Sequence, residues 1–248
     1  MERIICLVIG YVFGMFQTAY IYGRLHGIDI RNYGSGNAGT TNTMRVLGTK
    51  AGLLVLVGDI LKCILAVVVT NLLFRNSHPD MVYLLKMYAA AGAILGHNFP
   101  FYLKFKGGKG IAATAGLILS FHPYLIPVGI VLFFGAFFTT HYVSLGSLLV
   151  YAGFLIELIV LGQNGVFGMS QNMLIEMYIV AGFLTVMAFY KHRENIKRLL
   201  SGTERKTYLT HKSDEEGKTE KSDRDHSTCT HDRCGRVFEF LRKGILLV

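Results

Sequence analysis

Acidic side chains are scarce over most of this sequence. Between Met1 and Tyr190 there are only Glu2, Asp29, Asp59, Asp80, Glu157 and Glu176. Charged residues of both signs make up 17% of the 248 residues, against 52% hydrophobic ones. That balance, with a mean hydropathy of +0.42, excludes an ordinary soluble domain and implies a polytopic membrane protein. Cysteine is also rare. Cys6 and Cys63 sit in apolar stretches and Cys229 and Cys234 near the end, so there is no disulfide framework. The N-terminus lacks a basic leader and a small-residue cleavage site, and Ile4 to Tyr22 is read as a span rather than a signal peptide. No span carries an obvious metal cluster, and no internal repeat is visible.

The net charge is +9. The basic residues lie in loops and in the tail rather than on one soluble face, so they are topology signals first and a nucleic-acid footprint hardly at all. Apolar runs fall at 4–22, 53–74, 83–101, 111–122, 124–138, 143–162 and 173–190. A helix needs about 20 residues to cross the hydrocarbon core. The fourth and fifth runs are shorter and are split by His122-Pro123, so one broken helix or a hairpin is the alternative there. Charge decides the count. With seven crossings, Arg24, Arg31, Arg45, Lys50, Lys104, Lys106, Lys109, Lys191, Arg193, Lys197 and Arg198 share one side, and only Arg3, Arg75 and Lys86 the other. The expected fold is therefore all-α, with about seven transmembrane helices, the N-terminus outside and the C-terminus cytoplasmic.

Two acids fall inside spans. Asp59 and Lys62 are three apart, on one helix face, where they can neutralise each other. Glu157 must be protonated, partnered or turned to water.

The sequence is organised around Tyr33-Gly34-Ser35-Gly36-Asn37-Ala38-Gly39-Thr40-Thr41-Asn42-Thr43-Met44-Arg45. Glycines let backbone amides approach a ligand, Ser, Thr and Asn add donors, and Arg45 adds a planar fork suited to phosphate. An anion cradle and a plain polar loop are both consistent with this stretch alone. A second cluster runs from Gly96-His97-Asn98-Phe99-Pro100 to Lys104-Phe105-Lys106-Gly107-Gly108-Lys109-Gly110. It lacks the Gly-x4-Gly-Lys-Ser/Thr spacing of a Walker loop. The third, Lys191-His192-Arg193-Glu194-Asn195-Ile196-Lys197-Arg198, continues the last span and sets His192 and Asn195 on one helix face. From Thr207 to Arg236 the composition turns polar and disorder is expected. His226, Cys229, His231 and Cys234 lie there at spacings unlike the usual zinc frameworks. Val237 to Val248 is short, basic and apolar.

Together these clusters resemble the bacterial acyl-phosphate:glycerol-3-phosphate acyltransferase family, the PlsY family. Its Ser-Gly-Asn-x-Gly-x-Thr-Asn motif ending in Arg is similar to Ser35–Arg45. Its Phe-Pro loop leading to Lys-Gly-Gly-Lys-Gly is similar to Phe99–Gly110, and its His-x-x-Asn-Ile-x-Arg-Leu to His192–Leu199. A short Ser-containing turn matches Tyr142-Val143-Ser144. The resemblance covers residues 1–206; Ala38, Ala113 and His141 depart from the usual pattern.

The resemblance implies a domain over residues 1–206, and the change of composition sets off a separate tail over 207–248. It implies an enzyme of the bacterial cytoplasmic membrane whose site faces the cytoplasm. A fatty acyl group would pass from acyl phosphate to the 1-hydroxyl of glycerol 3-phosphate, the first acylation of phospholipid synthesis. The family needs no metal or cofactor. Its partners would be the two substrates, the bilayer and the enzyme that makes acyl phosphate, with no nucleic acid. Carried over, Arg45, Lys104 and Ser144 bind glycerol 3-phosphate, with Ser35, His192 and Asn195 as the catalytic group. Asn37, Gly39, Thr40, Thr41, Asn42, Gly108, Lys109 and Gly110 hold the acyl phosphate. The reverse pairing of loops and phosphates is the alternative. The sequence has no His-x4-Asp pair and no Ser-His-Asp or Cys-His set. Acyl phosphate is already activated, so positioning and charge stabilisation suffice. The base is either His192 or the substrate's own phosphate, whose second pKa is about 6. The rival class is a carrier of anionic metabolites, which would place its site near the membrane midplane.

Overall fold

The structure, a computed structural model, describes residues 1–208. The Cys/His cluster, the last twelve residues and most of the expected disordered tail lie outside the described residues. Among the described residues there is no strand, and the chain is built from ten α-helices. These are α1 (Glu2–Gly14), α2 (Thr18–Leu25), α3 (Thr40–Leu47), α4 (Thr49–Phe74) and α5 (Val82–Asn98). They continue with α6 (Ile111–Phe121), α7 (Leu125–Thr140), α8 (Val143–Gln163), α9 (Gln171–Lys191) and α10 (Arg193–Leu200). All seven apolar runs fall on helices. Four stretches, Glu2–Leu25, Thr49–Phe74, Val143–Gln163 and Gln171–Lys191, are long and apolar enough to cross a membrane. The helices α5, α6 and α7 are shorter, at 17, 11 and 16 residues.

The first run is broken, which its unbroken hydropathy does not foretell. After Gly14 the helix stops, and Gln17, with no exposed surface, sits in the gap. Its Nε2 donates to the carbonyls of His97 at 2.9 Å, Gly96 at 3.4 Å and Gly14 at 3.5 Å. Lys62 Nζ donates to the freed carbonyl of Phe16 at 2.7 Å. Tyr102 Oη donates to the Met15 carbonyl at 2.8 Å; backbone groups released inside a membrane need such partners.

Helices α1 and α5 pack against each other through glycine. A side chain on Gly10 or Gly14 would run into the backbone of Ala89 and Ala93, and one on Gly92 or Gly96 into that of Leu7 and Tyr11. Both helices thus carry the small-xxx-small spacing that lets apolar helices approach closely. Large side chains such as Ile4, Val8, Leu72, Ile156, Ile179 and Val186 are exposed on the outside, as an apolar solvent requires. Pro123 ends α6: His122 before it is extended, at φ −154° and ψ 138°. Asp59 and Lys62 pair at 2.8 Å, both almost fully buried. Glu157 is half-buried beside Ile118, Leu125 and Phe154, without a partner among the described residues.

The chain does not leave the helical body at residue 206. Thr207 is buried, its amide donates to the His141 carbonyl at 2.9 Å, and the Tyr208 ring lies 4.8 Å from that of His141. The boundary expected from composition therefore falls short of the contacts the chain makes.

Candidate active site

The α3 region, the loop before α6, the start of α8 and the α9–α10 junction meet around one cavity of about 450 Å³. Its walls include Ser35, Asn37, Gly39, Thr40, Thr41, Asn42 and Arg45 from the first motif. Lys109, Gly110, Ser144, His192 and Asn195 come from the others. Segments more than 150 positions apart in sequence are thus brought to one place. Arg45, Lys109, Lys191, Arg193, Arg198 and Arg205 face three acids, Asp59, Glu194 and Glu204, and Asp59 is already paired with Lys62. The surplus charge is positive, and the amino ends of α3 and α6 add their dipoles.

The first loop is shaped by Asn42. Its Oδ1 accepts from the Ser35 amide at 2.7 Å, and its Nδ2 donates to the carbonyls of Ile30 at 3.1 Å and Tyr33 at 3.0 Å. Gly34 and Gly36 take positive φ, 61° and 72°, where a side chain would be strained. Asn42 is 1% exposed and its side chain is committed to the loop, so it builds the cradle and offers a ligand only its backbone. Thr40 differs: its Oγ1 is buried at the cavity wall with no partner among the described residues.

The second loop departs from expectation in two ways. Lys104 is exposed and is not among the cavity walls; it lies in a turn with φ 54°, followed by Phe105 at φ 59°. Gly108 is buried behind the wall. The amides of Gly107 and Gly108 donate to the carbonyls of Asn98 at 3.2 Å and His97 at 3.1 Å, so they are not free for a ligand. The glycines are needed for closeness: a side chain at 107 would strike the backbone of His97 and Asn98, and one at 108 the His97 ring. Only Gly110 requires its conformation, at φ 89°. Lys109 points inward, and its Nζ donates to Asn195 Oδ1. Burial, helped by nearby Arg198, pushes the Lys109 amine down to about 8.

At the α9–α10 junction His192 is 2% exposed. Its Nδ1 is 2.8 Å from the Ala188 carbonyl. A carbonyl only accepts, so Nδ1 carries the hydrogen and Nε2 keeps its lone pair. Burial pushes His192 down to about 4, so the ring is neutral at pH 7. It offers the site an acceptor.

Sequence reasoning missed Glu204. Its carboxylate accepts from Ser144 Oγ at 2.9 Å, Asn195 Nδ2 at 2.7 Å and Arg198 Nε at 2.8 Å. Burial alone would raise its pKa; the bonds from Asn195, Arg198 and Ser144 outweigh that and hold it below the ordinary value. Ser144 and Asn195 thus serve Glu204 as well as the cavity. A lone acid after a basic helix carries no signal in sequence. Arg31, by contrast, is held by Asp29 at 2.7 Å, away from the cavity walls.

An all-helical body with apolar outer faces and a strongly basic cavity at its helix ends defines an integral membrane protein that handles an anionic ligand. Comparison with known proteins makes this specific. Residues 4–202 match the family described as glycerol-3-phosphate acyltransferase. A glycerol-3-phosphate acyltransferase of Thermoanaerobacter sp. (strain X514) is 39% identical over 83% of this chain and 96% of its own. Glycerol-3-phosphate acyltransferase 2 of Bacillus cereus (strain ATCC 10987 / NRS 248) is 38% identical over 83% and 95%. Among solved structures, the glycerol 3-phosphate form of PlsY (YgiH), an integral membrane glycerol 3-phosphate acyltransferase, superposes with a TM-score of 0.72. It is 29% identical, over 84% of this chain and 96% of that one. Its lysophosphatidic acid form gives 0.70 at 28% identity, over 84% and 97%. The chain belongs to the glycerol-3-phosphate acyltransferase family and is an acyltransferase.

Proposed function

We propose that this protein transfers a fatty acyl group from acyl phosphate to the 1-hydroxyl of glycerol 3-phosphate, releasing 1-acylglycerol 3-phosphate and inorganic phosphate. The observation that carries this reading is the convergence of Arg45, Lys109, His192 and Asn195 on one basic cavity at the helix ends. Both substrates bring a phosphate to it. A carrier would need its site near the midplane, and the cavity is instead lined by loops and helix termini.

Arg45 at the rim takes the phosphate of glycerol 3-phosphate through its planar fork, with Ser35 and Ser144 beside it. Lys104 joins only if its exposed turn folds over the rim. Asn37, Gly39, Thr40, Thr41, Lys109 and Gly110 take the acyl phosphate, which meets the α3 and α6 amino ends. His192 Nε2 accepts a hydrogen bond from the neighbouring 2-hydroxyl of glycerol 3-phosphate and so aligns the 1-hydroxyl, while Asn195 fixes Lys109. The 1-hydroxyl oxygen attacks the acyl carbonyl carbon. The bond from that carbon to the bridging oxygen breaks, and phosphate leaves with the electron pair. The hydroxyl proton passes to the phosphate dianion of glycerol 3-phosphate. A ring held near 4 is a weak base, which favours this substrate-assisted route. Charge stabilisation by Lys109 supplies the rest.

The same reading puts seven crossings in the bacterial cytoplasmic membrane, with the amino end outside. The site then opens to the cytoplasm, where glycerol 3-phosphate is available. The clustering of the basic loops at one cavity supports it, since an even number of spans between any two of them is required. The enzyme that makes acyl phosphate is the natural partner. The direct test uses purified protein: phosphate should be released from acyl phosphate only when glycerol 3-phosphate is present. Release independent of it would point to a hydrolase, and none at all would remove the proposal.

A further inference from the structure

Behind the second glycine-rich loop lies a buried charge cluster that the mechanism above does not use. Lys62 is 4% exposed, Asp59 1% and His97 3%. Lys62 Nζ has three partners: Asp59 Oδ1 at 2.8 Å, the Phe16 carbonyl at 2.7 Å and His97 Nδ1 at 2.8 Å. Thr18 Oγ1 supports Asp59 at 3.2 Å. An ammonium has three hydrogens to give and no lone pair. Lys62 is ion-paired to Asp59 and so remains charged. The group it meets on His97, Nδ1, must therefore be an acceptor. The ring's hydrogen is then on Nε2.

That nitrogen has no protein partner among the described residues. It lies 2.1 Å from the point where a Gly108 side chain would begin, and the Ala38 carbonyl oxygen lies 2.8 Å from that same point. The His97 side chain is more than nine-tenths buried and is part of the cavity wall, so an N–H fixed on Nε2 there takes its acceptor from what fills that cavity. The charged groups packed around the ring do not accept from it: Lys62 and Asp59 both lie on its Nδ1 side.

We infer that His97 Nε2–H is a substrate-contacting donor for the phosphoryl group of the acyl phosphate. Asp59 and Lys62 act through it as positioning residues, holding the tautomer and the ring plane. This rests on the acyl-phosphate reading above. A neutral donor suits a site whose cations already match the substrate's charge, because it adds direction without further net charge. Gly108 is then required at its position so that the ring can reach the ligand past a residue with no side chain.

The two amides discriminate. The Gln amide nitrogen reaches about where Nε2 lies, and that of Asn only where Nδ1 lies. His97→Asn should lower kcat/KM for acyl phosphate by about ten- to a hundredfold. His97→Gln should stay within roughly fivefold of wild type, and KM for glycerol 3-phosphate should hold within about twofold in both. Equal losses in the two variants, or a loss confined to glycerol 3-phosphate, would overturn the inference. Should neither variant fold, the wild-type protein decides. Its His97 ring, labelled with 15N, should show a protonated Nε2 whose resonance shifts on adding inorganic phosphate. A hydrogen on Nδ1, or a resonance indifferent to phosphate, counts against the assignment. If wild type consumes no acyl phosphate the proposed reaction fails, and the phosphate titration still reports on His97 alone.

Discussion

Arg45 Nη2 donates to Thr207 Oγ1 at 3.0 Å, across 162 positions of sequence. Thr207 is also tied to the His141 carbonyl at 2.9 Å. The segment after α10 therefore closes one side of the cavity and holds the arginine that reaches for phosphate. A chain ending at Lys206 loses this bond, while one ending at Tyr208 keeps it. The shorter chain should show kcat/KM for glycerol 3-phosphate reduced by about two- to tenfold, the worth of one neutral hydrogen bond. The longer one should turn over like the full chain. Steady-state kinetics of the two truncations, compared in the same detergent, checks this. Equal activity would show that Thr207 is incidental.

Arg45→Lys keeps the charge and loses the fork. If a two-pronged contact holds the phosphate, specificity for glycerol 3-phosphate should fall by about ten- to a hundredfold, from a charge-assisted bond worth roughly 1.5–3 kcal/mol. The loss should appear in kcat/KM for that substrate. A lysine variant with wild-type kinetics would move the phosphate away from Arg45.

His192 makes two pH predictions. Its ring is held near 4, so no enzyme histidine at this position titrates near neutrality. The pH–rate profile should bend near the second phosphate pKa of about 6, and the bend should survive in His192→Gln. Disappearance of the bend in that variant would make His192 the base. Stability follows the same shift. An unfolded histidine takes up a proton near 6.5, and the folded one resists until about 4. The stability tied to the neutral ring is therefore complete above 6.5 and is lost as pH falls toward 4. Its size is on the order of 3 kcal/mol. Melting scans at pH 7 and pH 4.5 should show a smaller acid penalty for His192→Gln than for wild type.

Two glycines test the helix packing. A side chain at Gly92 would meet the Leu7 carbonyl and the Tyr11 amide, whereas Gly135 has nothing within 4 Å. Gly92→Ala should destabilise by about 1–3 kcal/mol, and Gly135→Ala should be neutral or stabilising by up to about 1 kcal/mol. Thermal unfolding in detergent separates them. The reverse order would mean that α1 and α5 are not in close contact.

What sequence could show was set by whether a signal is local. Apolar runs are local, and all seven fall on helices, the first divided between α1 and α2. The motif residues Ser35, Arg45, Lys109, His192 and Asn195 were legible because donors, cations and glycines crowd together in short stretches. The break at Gln17 was not, since the partners that make it tolerable, His97 and Lys62, come from other helices. Asn42 looked like a ligand donor because sequence does not show that its amide closes its own loop. Gly108 suggested a phosphate contact, yet it serves close packing under His97. Glu204 and Thr207 lay beyond the last recognisable pattern, where one acid and one hydroxyl carry no period. Tertiary hydrogen bonds decided each of these.

In the proposed reaction the acyl group passes directly from acyl phosphate to the 1-hydroxyl of glycerol 3-phosphate, and isotope placement tests this most closely. Glycerol 3-phosphate labelled with 18O at its 1-hydroxyl is given to the purified protein with unlabelled acyl phosphate, and both products are weighed by mass spectrometry. Attack by that hydroxyl on the acyl carbon predicts the label wholly in the ester of 1-acylglycerol 3-phosphate and none in the released phosphate. Label in the phosphate, or phosphate released without labelled ester, would contradict it.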